Sequence, residues 1–368
     1  MKVLTLFGTR PEIIRLSIIS QRLDELCDHV MVHTGQNFDQ TLSDLFIDEL
    51  GLRAPDNHLG IETTSFGAQV GQILSRVDEL LERVRPDRVL ILGDTNSGLA
   101  AIVAARRGIP VFHLEAGNRS YDDRVPEEIN RRVIDHSSTV LLPYTFRSKD
   151  NLIREGIDRD RVFVVGNPIC EVMNHFRDRI DGSDVLERVE KVAEHYFLVT
   201  MHRAENVDDP RRLSDLLTGL EAVSEHYDLP VVMSLHPRTG DRIKRFGFEV
   251  DSRKVQMITP VGFFDLIRLE ENARCVLTDS GTVQEECSIL RRPNVTIRDV
   301  TERAETVECG SNILAGSKPE SLLRAVEVAV SAPPDWRPPP EYLEPHASSA
   351  ATKIVLGFHL SPIRDRAL

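Results

Sequence analysis

Short apolar runs alternate with longer amphipathic segments along most of the chain. In the first half, six runs rich in valine, isoleucine and leucine have the length and composition of β-strands; they cover residues 2–7, 29–33, 88–92, 111–114, 139–142 and 162–165. Segments with helical periodicity lie between them, among them residues 66–83 and 97–107. Such an alternation predicts right-handed β–α–β units that build a parallel sheet.

The same alternation starts again in the second half, after Gly166-Asn167-Pro168 ends the sixth run. Five further strands are predicted at residues 197–201, 231–235, 255–258, 275–277 and 295–297. A proline cluster within residues 333–340 ends the last helix of this half, and a helical segment follows at residues 347–360. We therefore predict an α/β protein of two doubly wound domains, residues 1–168 and 169–346, with residues 347–368 crossing back to the first domain.

Length, charge and cysteine content narrow the class of protein. A chain of 368 residues is too long for one ordinary core, which favours two domains. The formal charge of −13 argues against nucleic acid as the main partner, because phosphate backbones bind to basic faces. The five cysteines are scattered and form no CxxC pair, which indicates a reducing compartment and neither a disulfide framework nor a zinc site.

No segment has the pattern of a targeting or membrane signal. The first apolar run stops at Gly8, unlike the core of a signal peptide, and no run approaches the ~18 apolar residues of a membrane span. We therefore expect a cytoplasmic protein without a membrane partner.

Two acidic motifs follow predicted strands of the first half, and a third lies close behind them. They are Gly93-Asp94-Thr95, the segment from His113 to Arg119 that contains Glu115, and Pro126-Glu127-Glu128-Ile129-Asn130-Arg131. In a parallel sheet, ligands bind at the carboxyl ends of the strands, so these carboxylates are candidates for proton transfer to an anionic substrate. The third motif alone is typical of a helix start with a surface ion pair between Glu127 and Arg131.

Two strand-to-helix turns have the features of anion sites. Gly8-Thr9-Arg10-Pro11-Glu12 is either a phosphate site, built from backbone amides and Arg10, or an ordinary turn; the sequence favours neither. In the second half, Thr278-Asp279 precedes a helix opened by Ser280-Gly281-Thr282, where a diphosphate could dock and Glu286 could accept bonds from a ribose. Simple capping by Asp279 or Ser280 is compatible with that interpretation. No strand is followed by a GxGxxG motif, which argues against a nicotinamide-dependent dehydrogenase.

Two histidines of the second half stand in equivalent positions, each just after a strand and beside an arginine. They are His202, before Arg203, and His236, two residues before Arg238. A lone histidine in such a place is more often packed or solvated than catalytic, but two of them favour a cleft. Neither has a partner at metal-ligand spacing, so we predict no metal site.

Taken together, the motifs resemble those of the non-hydrolysing UDP-N-acetylglucosamine 2-epimerases in order and spacing over nearly the whole chain. The resemblance rests on the segments 8–12, 93–95, 113–117, 126–131 and 278–286 and on Thr301-Glu302-Arg303. That family is similar to retaining glycosyltransferases of the GT-B type. The resemblance implies two Rossmann-like domains, a UDP-linked N-acetyl sugar bound in an interdomain cleft, a homodimer, and no cofactor or metal.

The resemblance also implies a reaction and a set of site residues. A base removes the C2 proton while UDP leaves C1 by anti elimination, and UDP then adds back to the 2-acetamidoglycal with protonation of the other face. By correspondence, the acid/base candidates are Asp94, Glu115 and Glu127, and His202 lies beside the leaving diphosphate. The residues that bind UDP or order the cleft are Arg10, Arg15 (lysine in many members), Arg131, His236, Ser280, Gly281, Thr282, Glu286 and Arg303.

Some segments depart from the usual pattern. Members activated by their own substrate carry Gln-His-Arg where this chain has Thr34-Gly35-Gln36-Asn37-Phe38-Asp39, and Gln72 replaces an arginine of that activator site. We therefore expect no activation of the usual form. Other segments resemble members that make UDP-N-acetyl-L-fucosamine from a 6-deoxy-L-talo precursor, among them residues 33–37, 117–119, 124–126 and 284–287. The alternatives are a retaining GT-B glycosyltransferase and a catalytically inactive sensor of nucleotide sugars.

Overall fold

The chain divides into two compact α/β units. A computed structural model of the protein describes residues 1–35, 46–61, 65–190 and 195–359. Unit 1 comprises Met1–Val172 and Glu341–Leu368, and unit 2 comprises Met173–Pro340. The sequence-based boundaries at residues 168 and 346 concern independently folding domains, and they stay a prediction.

The sheet of unit 1 is six-stranded and entirely parallel. Its strands run in the order β3-β2-β1-β4-β5-β6; their bounds are β1 Lys2–Phe7, β2 Asp28–His33, β3 Asn57–His58, β4 Arg88–Leu92, β5 Val111–Leu114 and β6 Val140–Leu142. The chain winds outward from β1 in one direction and from β4 in the other. The carboxyl ends of β1 and β4 therefore form the switch point at which doubly wound sheets bind ligands.

Helices cover both faces of this sheet, and the last of them returns from the far end of the chain. The described helices of unit 1 with at least six residues are Arg10–Leu26, Phe66–Val84, Ala101–Arg106, Pro126–Ser137, Phe146–Arg154, Pro168–His175 (which runs into unit 2) and Ala347–Gly357. The guanidinium of Arg88 donates hydrogen bonds to the carbonyl oxygens of Val355 and Phe358. Helix Ala347–Gly357 also packs against Arg10–Leu26. The predicted return of the C-terminal helix to the first half is confirmed.

The sheet of unit 2 repeats the same winding. Its parallel strands run in the order β12-β11-β10-β7-β8-β9; their bounds are β7 Phe197–Thr200, β8 Val231–Ser234, β9 Val255–Ile258, β10 Cys275–Thr278, β11 Asn294–Thr296 and β12 Asn312–Leu314. The described helices of this unit with at least ten residues are Pro210–Tyr227, Pro237–Phe246, Phe263–Asn272, Gly281–Leu290 and Pro319–Ala329. The switch point here lies between β7 and β10.

The predicted α/β class with two doubly wound, Rossmann-like parts is confirmed, and the differences concern short edge segments. The predicted strand at residues 162–165 is wrong, because only Val162 forms a bridge, to Leu141, before Gly166 turns the chain at φ 85°. The prediction also missed β3 and β12. These strands have two and three residues, too few to show a periodic pattern.

Candidate active site

In unit 1, a buried glutamate joins the two loops of the switch point. Glu12, 2% exposed, accepts hydrogen bonds at Oε2 from the amides of Gly8 and Thr9 (2.7 and 2.6 Å) and from the Thr9 hydroxyl (2.9 Å). Its Oε1 accepts from the Thr95 hydroxyl at 2.8 Å, so the loop after β1 is bonded to the loop after β4. These bonds form a capping box at the start of helix Arg10–Leu26.

This capping box changes the interpretation of the first turn. The sequence left open whether its backbone amides bind a phosphate, but the amides of Gly8 and Thr9 already donate to Glu12. An anion at this turn must therefore rely on Arg10. The Arg10 guanidinium lies 5.7 Å from the centre of the Phe46 ring, and burial lowers the pKa of Arg10.

The burial of Glu12 predicts a pH-dependent stability. Burial raises the pKa of Glu12 to about 7, and the hydrogen bonds from Gly8, Thr95 and Thr9 only partly offset that effect. A carboxyl with a raised pKa in the folded state stabilises the fold at low pH, and this contribution disappears as the pH rises through the folded-state pKa. Between pH 4.5 and 7.5, we expect the stability of the native protein to fall relative to Glu12→Gln by about 2–3 kcal/mol.

Urea unfolding of both proteins across this pH range measures the effect. The Gln variant cannot titrate at residue 12, so all other pH effects cancel in the difference between the two proteins. A difference that stayed flat, or that favoured the native protein at high pH, would contradict the prediction and show that the four donors keep Glu12 ionised.

Asp94 is held by an arginine that also binds a second, fully buried carboxylate. The Arg131 guanidinium lies 2.8 Å (Nε) and 2.7 Å (Nη2) from Asp94 Oδ2, and its Nη1 lies 2.6 Å from Glu128 Oε2. Arg131 is only 3% exposed. The interpretation of this motif as a surface ion pair between Glu127 and Arg131 is therefore wrong, because the guanidinium is buried. Asn130 fixes the same loop by donating to the Asp94 carbonyl oxygen at 3.0 Å.

Glu128 connects this cluster to the segment before the helix Pro126–Ser137. It accepts hydrogen bonds from the amides of Ser120 and Tyr121, both at 3.0 Å. Burial would raise the pKa of Glu128, but these amides and Arg131 outweigh it and lower that pKa. Glu127, the neighbouring acid/base candidate, is partly exposed in the first turn of the same helix.

Behind Asp94, a buried histidine supports the backbone of the Gly93-Asp94-Thr95 loop. His113 Nε2 lies 2.8 Å from the Gly93 carbonyl oxygen, and its Nδ1 lies 2.8 Å from Asp135 Oδ1. Asp135 is completely buried and also contacts Arg119 Nη2 at 2.8 Å. Burial would raise the pKa of Asp135, but His113 and Arg119 reverse that effect and lower it.

Glu115 adopts a backbone conformation that costs energy. Its φ of 69° lies in the left-handed region, where a non-glycine residue carries about 1–2 kcal/mol of strain. Its Oε2 lies 4.0 Å from Nε of the buried Arg15, and Asn118 donates to its Oε1 at 3.3 Å. Residues in this conformation cluster at functional sites, so the strain supports Glu115 as a site residue.

Two residues further on, Gly117 cannot be replaced without a clash. It has a φ of 82°, and a Cβ atom would lie 2.3 Å from the Ser148 carbonyl oxygen. This close approach lets Asn151 Nδ2 donate to the Gly117 carbonyl oxygen at 3.0 Å. The glycine therefore sets the path of the segment that follows Glu115.

In unit 2, Asp279 bridges the switch point and does not cap its own helix. Its carboxylate accepts from the amides of His202 (3.0 Å) and Arg203 (2.9 Å) and from Asn206 Nδ2 (3.0 Å). The Ser280 side chain makes no capping bond to the helix Gly281–Leu290 within the described part of the chain. Both capping interpretations from the sequence are therefore wrong.

The start of that helix is supported by the Thr301-Glu302-Arg303 motif. Thr301 donates to Gln284 Oε1 at 2.6 Å, and Arg303 donates to the buried Glu285 carboxylate. A Cβ atom on Gly281 would lie 2.5 Å from Glu302 Oε1. At the helix start itself, Ser280 and Thr282 share a hydrogen bond of 3.0 Å between their hydroxyls.

The two predicted histidines are neighbours. The rings of His202 and His236 have centroids 5.2 Å apart, with His202 Nδ1 3.3 Å from Asp279 Oδ1. The His236 Nδ1 atom accepts a hydrogen bond from the Arg238 amide and caps helix Pro237–Phe246. The sequence indicated that both histidines follow strands, but not that their rings are neighbours; the Arg238 guanidinium turns away to Asp208.

Glu286 is 3% exposed and contacts a second buried carboxyl group, that of Glu270.

Among the described residues, no group of three or more His, Cys, Asp or Glu side chains is placed to hold a metal ion. The described residues also include no helix long and apolar enough to cross a membrane. Of the stretch linked to substrate activation, residues 36–39 lie outside the described residues, and Gln72 is a partly exposed residue of helix Phe66–Val84.

Comparison with known proteins identifies the family to which this chain belongs. Residues 21–356 match the family model described as UDP-N-acetylglucosamine 2-epimerase. The chain belongs to the UDP-N-acetylglucosamine 2-epimerase family. A relative of that name from Methanocaldococcus jannaschii is 41% identical over 353 residues, which cover 92% of this chain and 95% of that protein.

Other members of the family extend this result to structure and to a different sugar. The crystal structure of the M. jannaschii UDP-GlcNAc 2-epimerase in complex with UDP-GlcNAc and UDP has a TM-score of 0.92 at 40% identity, covering 97% of this chain and 99% of that one. A UDP-2,3-diacetamido-2,3-dideoxy-D-glucuronate 2-epimerase from Pseudomonas aeruginosa is 38% identical over 335 residues, which cover 90% of this chain and 92% of that protein. The suspected family is confirmed.

Several residues of the clusters at the two switch points were not found from the sequence. The Thr9-to-Glu12 spacing is a capping-box signature that could have identified the role of Glu12. Glu128 lies in the third acidic motif, residues 126–131, but nothing in the sequence indicates that its side chain is buried. Asp135 and Glu270 lie in helices, among other charged residues, and only the tertiary fold shows that they are buried.

Proposed function

We propose that the protein inverts C2 of a UDP-linked N-acetylhexosamine without hydrolysing it. A carboxylate removes the C2 proton, the bond from C1 to the UDP oxygen breaks, and a 2-acetamidoglycal and UDP remain in the site. UDP then forms the C1 bond again while a proton is delivered to the opposite face of C2. Atoms and charges balance without a redox cofactor or a metal ion.

One observation carries the proposal: the motifs that define the family meet in pairs within each unit. In unit 1, the loop at residues 8–12 is bonded to Thr95, and Asp94 is bonded to Arg131. In unit 2, Asp279 is bonded to His202 and Arg203, and Thr301 to Gln284. The motifs scattered along the chain thus become two constellations, each at the switch point of its sheet.

In this proposal, unit 1 supplies the acid/base groups. Asp94, Glu115 and Glu127 exchange protons with C2 and stabilise positive charge that develops at C1 as the C–O bond breaks. Arg131 holds Asp94 in one orientation, and Arg15 lies beside Glu115. Such fixed carboxylates need little reorganisation in the transition state, which is how preorganised charges lower a barrier.

Unit 2 supplies the contacts to UDP. The diphosphate lies at the start of helix Gly281–Leu290, where Ser280, Gly281 and Thr282 offer amides and hydroxyls and the helix dipole favours negative charge. His202 and His236 contact the leaving diphosphate, with Arg10 as a further cation, and Glu286 accepts bonds from the ribose. Because Arg303 is buried on Glu285, it acts by supporting this helix.

The particular sugar is a further part of the proposal. Residues 117–119 and 284–287 resemble the branch that forms UDP-N-acetyl-L-fucosamine, whereas relatives that match this chain are named for UDP-GlcNAc and for a diacetamido-glucuronate. We propose a UDP-linked 2-acetamido sugar as the class, used for surface polysaccharide precursors. We also propose that the protein is a cytoplasmic homodimer. Sedimentation equilibrium would measure the mass of the oligomer.

Exchange of the C2 proton with solvent tests the function. In D2O, without any acceptor, we expect the protein to incorporate deuterium at C2 of a UDP-N-acetyl sugar and to form the C2 epimer, both followed by NMR. UDP-GlcNAc, UDP-ManNAc and the UDP-6-deoxy-L-talosaminyl compound form the substrate panel. A retaining glycosyltransferase or an inactive sensor would bind a UDP-sugar without exchange, so the absence of deuterium with every substrate would refute the epimerase.

A further inference from the structure

Two carboxyl groups are buried against each other in unit 2. Glu270 lies in helix Phe263–Asn272 and is 0% exposed; Glu286 lies in the neighbouring helix Gly281–Leu290 and is 3% exposed. The two helices pack against each other, and the Glu286 carboxyl group is close enough to Glu270 to raise its pKa. Both oxygens of Glu270 are buried, and among the described residues they meet no hydrogen-bond donor.

Two ionised carboxylates cannot share such a place, because each is only an acceptor and both carry negative charge. A single proton removes both difficulties, since it supplies the missing donor and leaves the pair with one charge. The more deeply buried member, Glu270, is the one that benefits most from being neutral.

Within the described part of the chain, the polar groups near Glu270 donate no hydrogen bond to its oxygens. Tyr196, the nearby hydroxyl, already donates to the Leu269 carbonyl oxygen at 2.6 Å. On the helix of Glu270, Arg268 Nη1 lies 3.9 Å from Glu271 Oε2. On the facing helix, burial and then Glu270, Glu286 and Cys275 raise the pKa of the Cys287 thiol, and Arg292 lowers it. Burial, then Glu286 and Glu271, all raise the pKa of Glu270.

We propose that Glu270 carries a proton at neutral pH and donates a hydrogen bond to Glu286, which positions the Glu286 carboxylate for the ribose of the nucleotide. This inference rests on the proposed function, because it takes Glu286 as the ribose acceptor. One Glu286 oxygen is then occupied by Glu270, and the other keeps the single charge of the pair and accepts from a ribose hydroxyl. Glu270 is a positioning residue, since it acts through Glu286.

Two variants separate the hydrogen bond from the bulk of the side chain. Glu270→Gln keeps a donor and cannot ionise, whereas Glu270→Met keeps the size of the side chain and has no donor. Glu271→Gln is the matched control, because the next residue of the same helix directs its carboxylate to Arg177. The readout is the ratio of the dissociation constants of 2′,3′-dideoxy-UDP and UDP, measured by calorimetry, which isolates the contribution of the ribose hydroxyls.

We expect this ratio to fall by about tenfold in Glu270→Met, as for the loss of one charge-assisted hydrogen bond, and to stay within about twofold in Glu270→Gln and Glu271→Gln. A merely structural role would weaken both ligands equally and leave the ratio unchanged, which would overturn the proposal. A native protein that binds neither ligand would refute the proposed function itself, and the ribose role with it.

Infrared spectroscopy decides the protonation directly, even if the Met variant does not fold. At pH 8, where exposed carboxyls are ionised, we expect the carbonyl stretch of a protonated carboxyl in the native protein and in Glu271→Gln, and its loss in Glu270→Gln. A band of equal intensity in all three proteins, or none in the native protein, would overturn the proposal.

Discussion

Replacing Asp94 by asparagine is expected to lower kcat by about 10²–10⁴-fold, the typical contribution of a positioned acid or base. The substitution preserves the shape of the side chain and removes its negative charge and its ability to exchange a proton. The amide oxygen can still accept from Arg131, and Glu128 still balances the buried guanidinium at 2.6 Å. The loss should therefore be one of chemistry and not of folding.

The affinity for UDP should change little in the same variant. In the proposed mechanism UDP is held by residues of unit 2 and by Arg10, whereas Asp94, in unit 1, makes no contact with the nucleotide. We expect the dissociation constant of UDP to stay within about threefold, since no direct hydrogen bond to the nucleotide is removed. Deuterium exchange at C2 should fall together with kcat, because both require removal of the same proton.

A matched control and a second variant make this result specific. Asp123→Asn removes an equivalent charge from a side chain that is 71% exposed in the same unit, and it should leave kcat unchanged. Glu115→Gln should lower kcat like Asp94→Asn, because the strained Glu115 is the second acid/base candidate. Normal rates in both Asp94→Asn and Glu115→Gln would show that the assignment of the acid/base groups is wrong.

The central strands, and the candidate site residues at their carboxyl ends, could be predicted from the sequence, because an apolar run and the motif that follows it are local features. Strands β1, β4, β5 and β9 have the bounds that the apolar runs predict. A buried strand of a parallel sheet is apolar on both faces, so it differs from the helices beside it. Since the motifs directly follow such strands, the same reasoning placed Asp94 and His202 at the carboxyl ends of their sheets.

The partners of these residues could not be predicted, because they depend on tertiary contacts. Helical periodicity shows that Asp135 lies in a helix, but not that it faces His113 across the unit. The Asp279 carboxylate was interpreted as a cap from its position before a helix, although the loop after β7 offers it more donors. Competition between local and distant hydrogen bonds is decided by the fold, and the sequence contains only the local candidates.

The second large effect is expected from Asp135→Asn, which removes the charge at the centre of a buried network. Asp135 is 0% exposed and accepts from Gly117 at 3.2 Å, besides its contacts to His113 and Arg119. Arg119 keeps Glu155, with Nη2 2.6 Å from Oε2, as its remaining carboxylate. Breaking a buried ion pair on one side costs about 3–5 kcal/mol, so we expect a loss of stability of that order.

The melting temperature measures this loss, and its pH dependence identifies the cause. A loss of that size lowers the melting temperature of a unit of this length by about 10 °C, whereas Asp123→Asn, at an exposed ion pair, should change stability by less than about 0.5 kcal/mol. Because the folded-state pKa of Asp135 is lowered, its contribution is present above the unfolded-state pKa and is lost as the pH falls through the folded-state value.

The difference between the native protein and Asp135→Asn should therefore shrink below about pH 4, the pKa of an aspartate in an unfolded chain. A difference that persisted unchanged into acid would mean that the shape of the side chain, and not its charge, supports the network. The charge matters for function as well as for stability, because His113 Nε2 lies 2.8 Å from the Gly93 carbonyl oxygen, one residue before Asp94. A network that loses its central anion would thus loosen the loop that carries the proposed acid/base group.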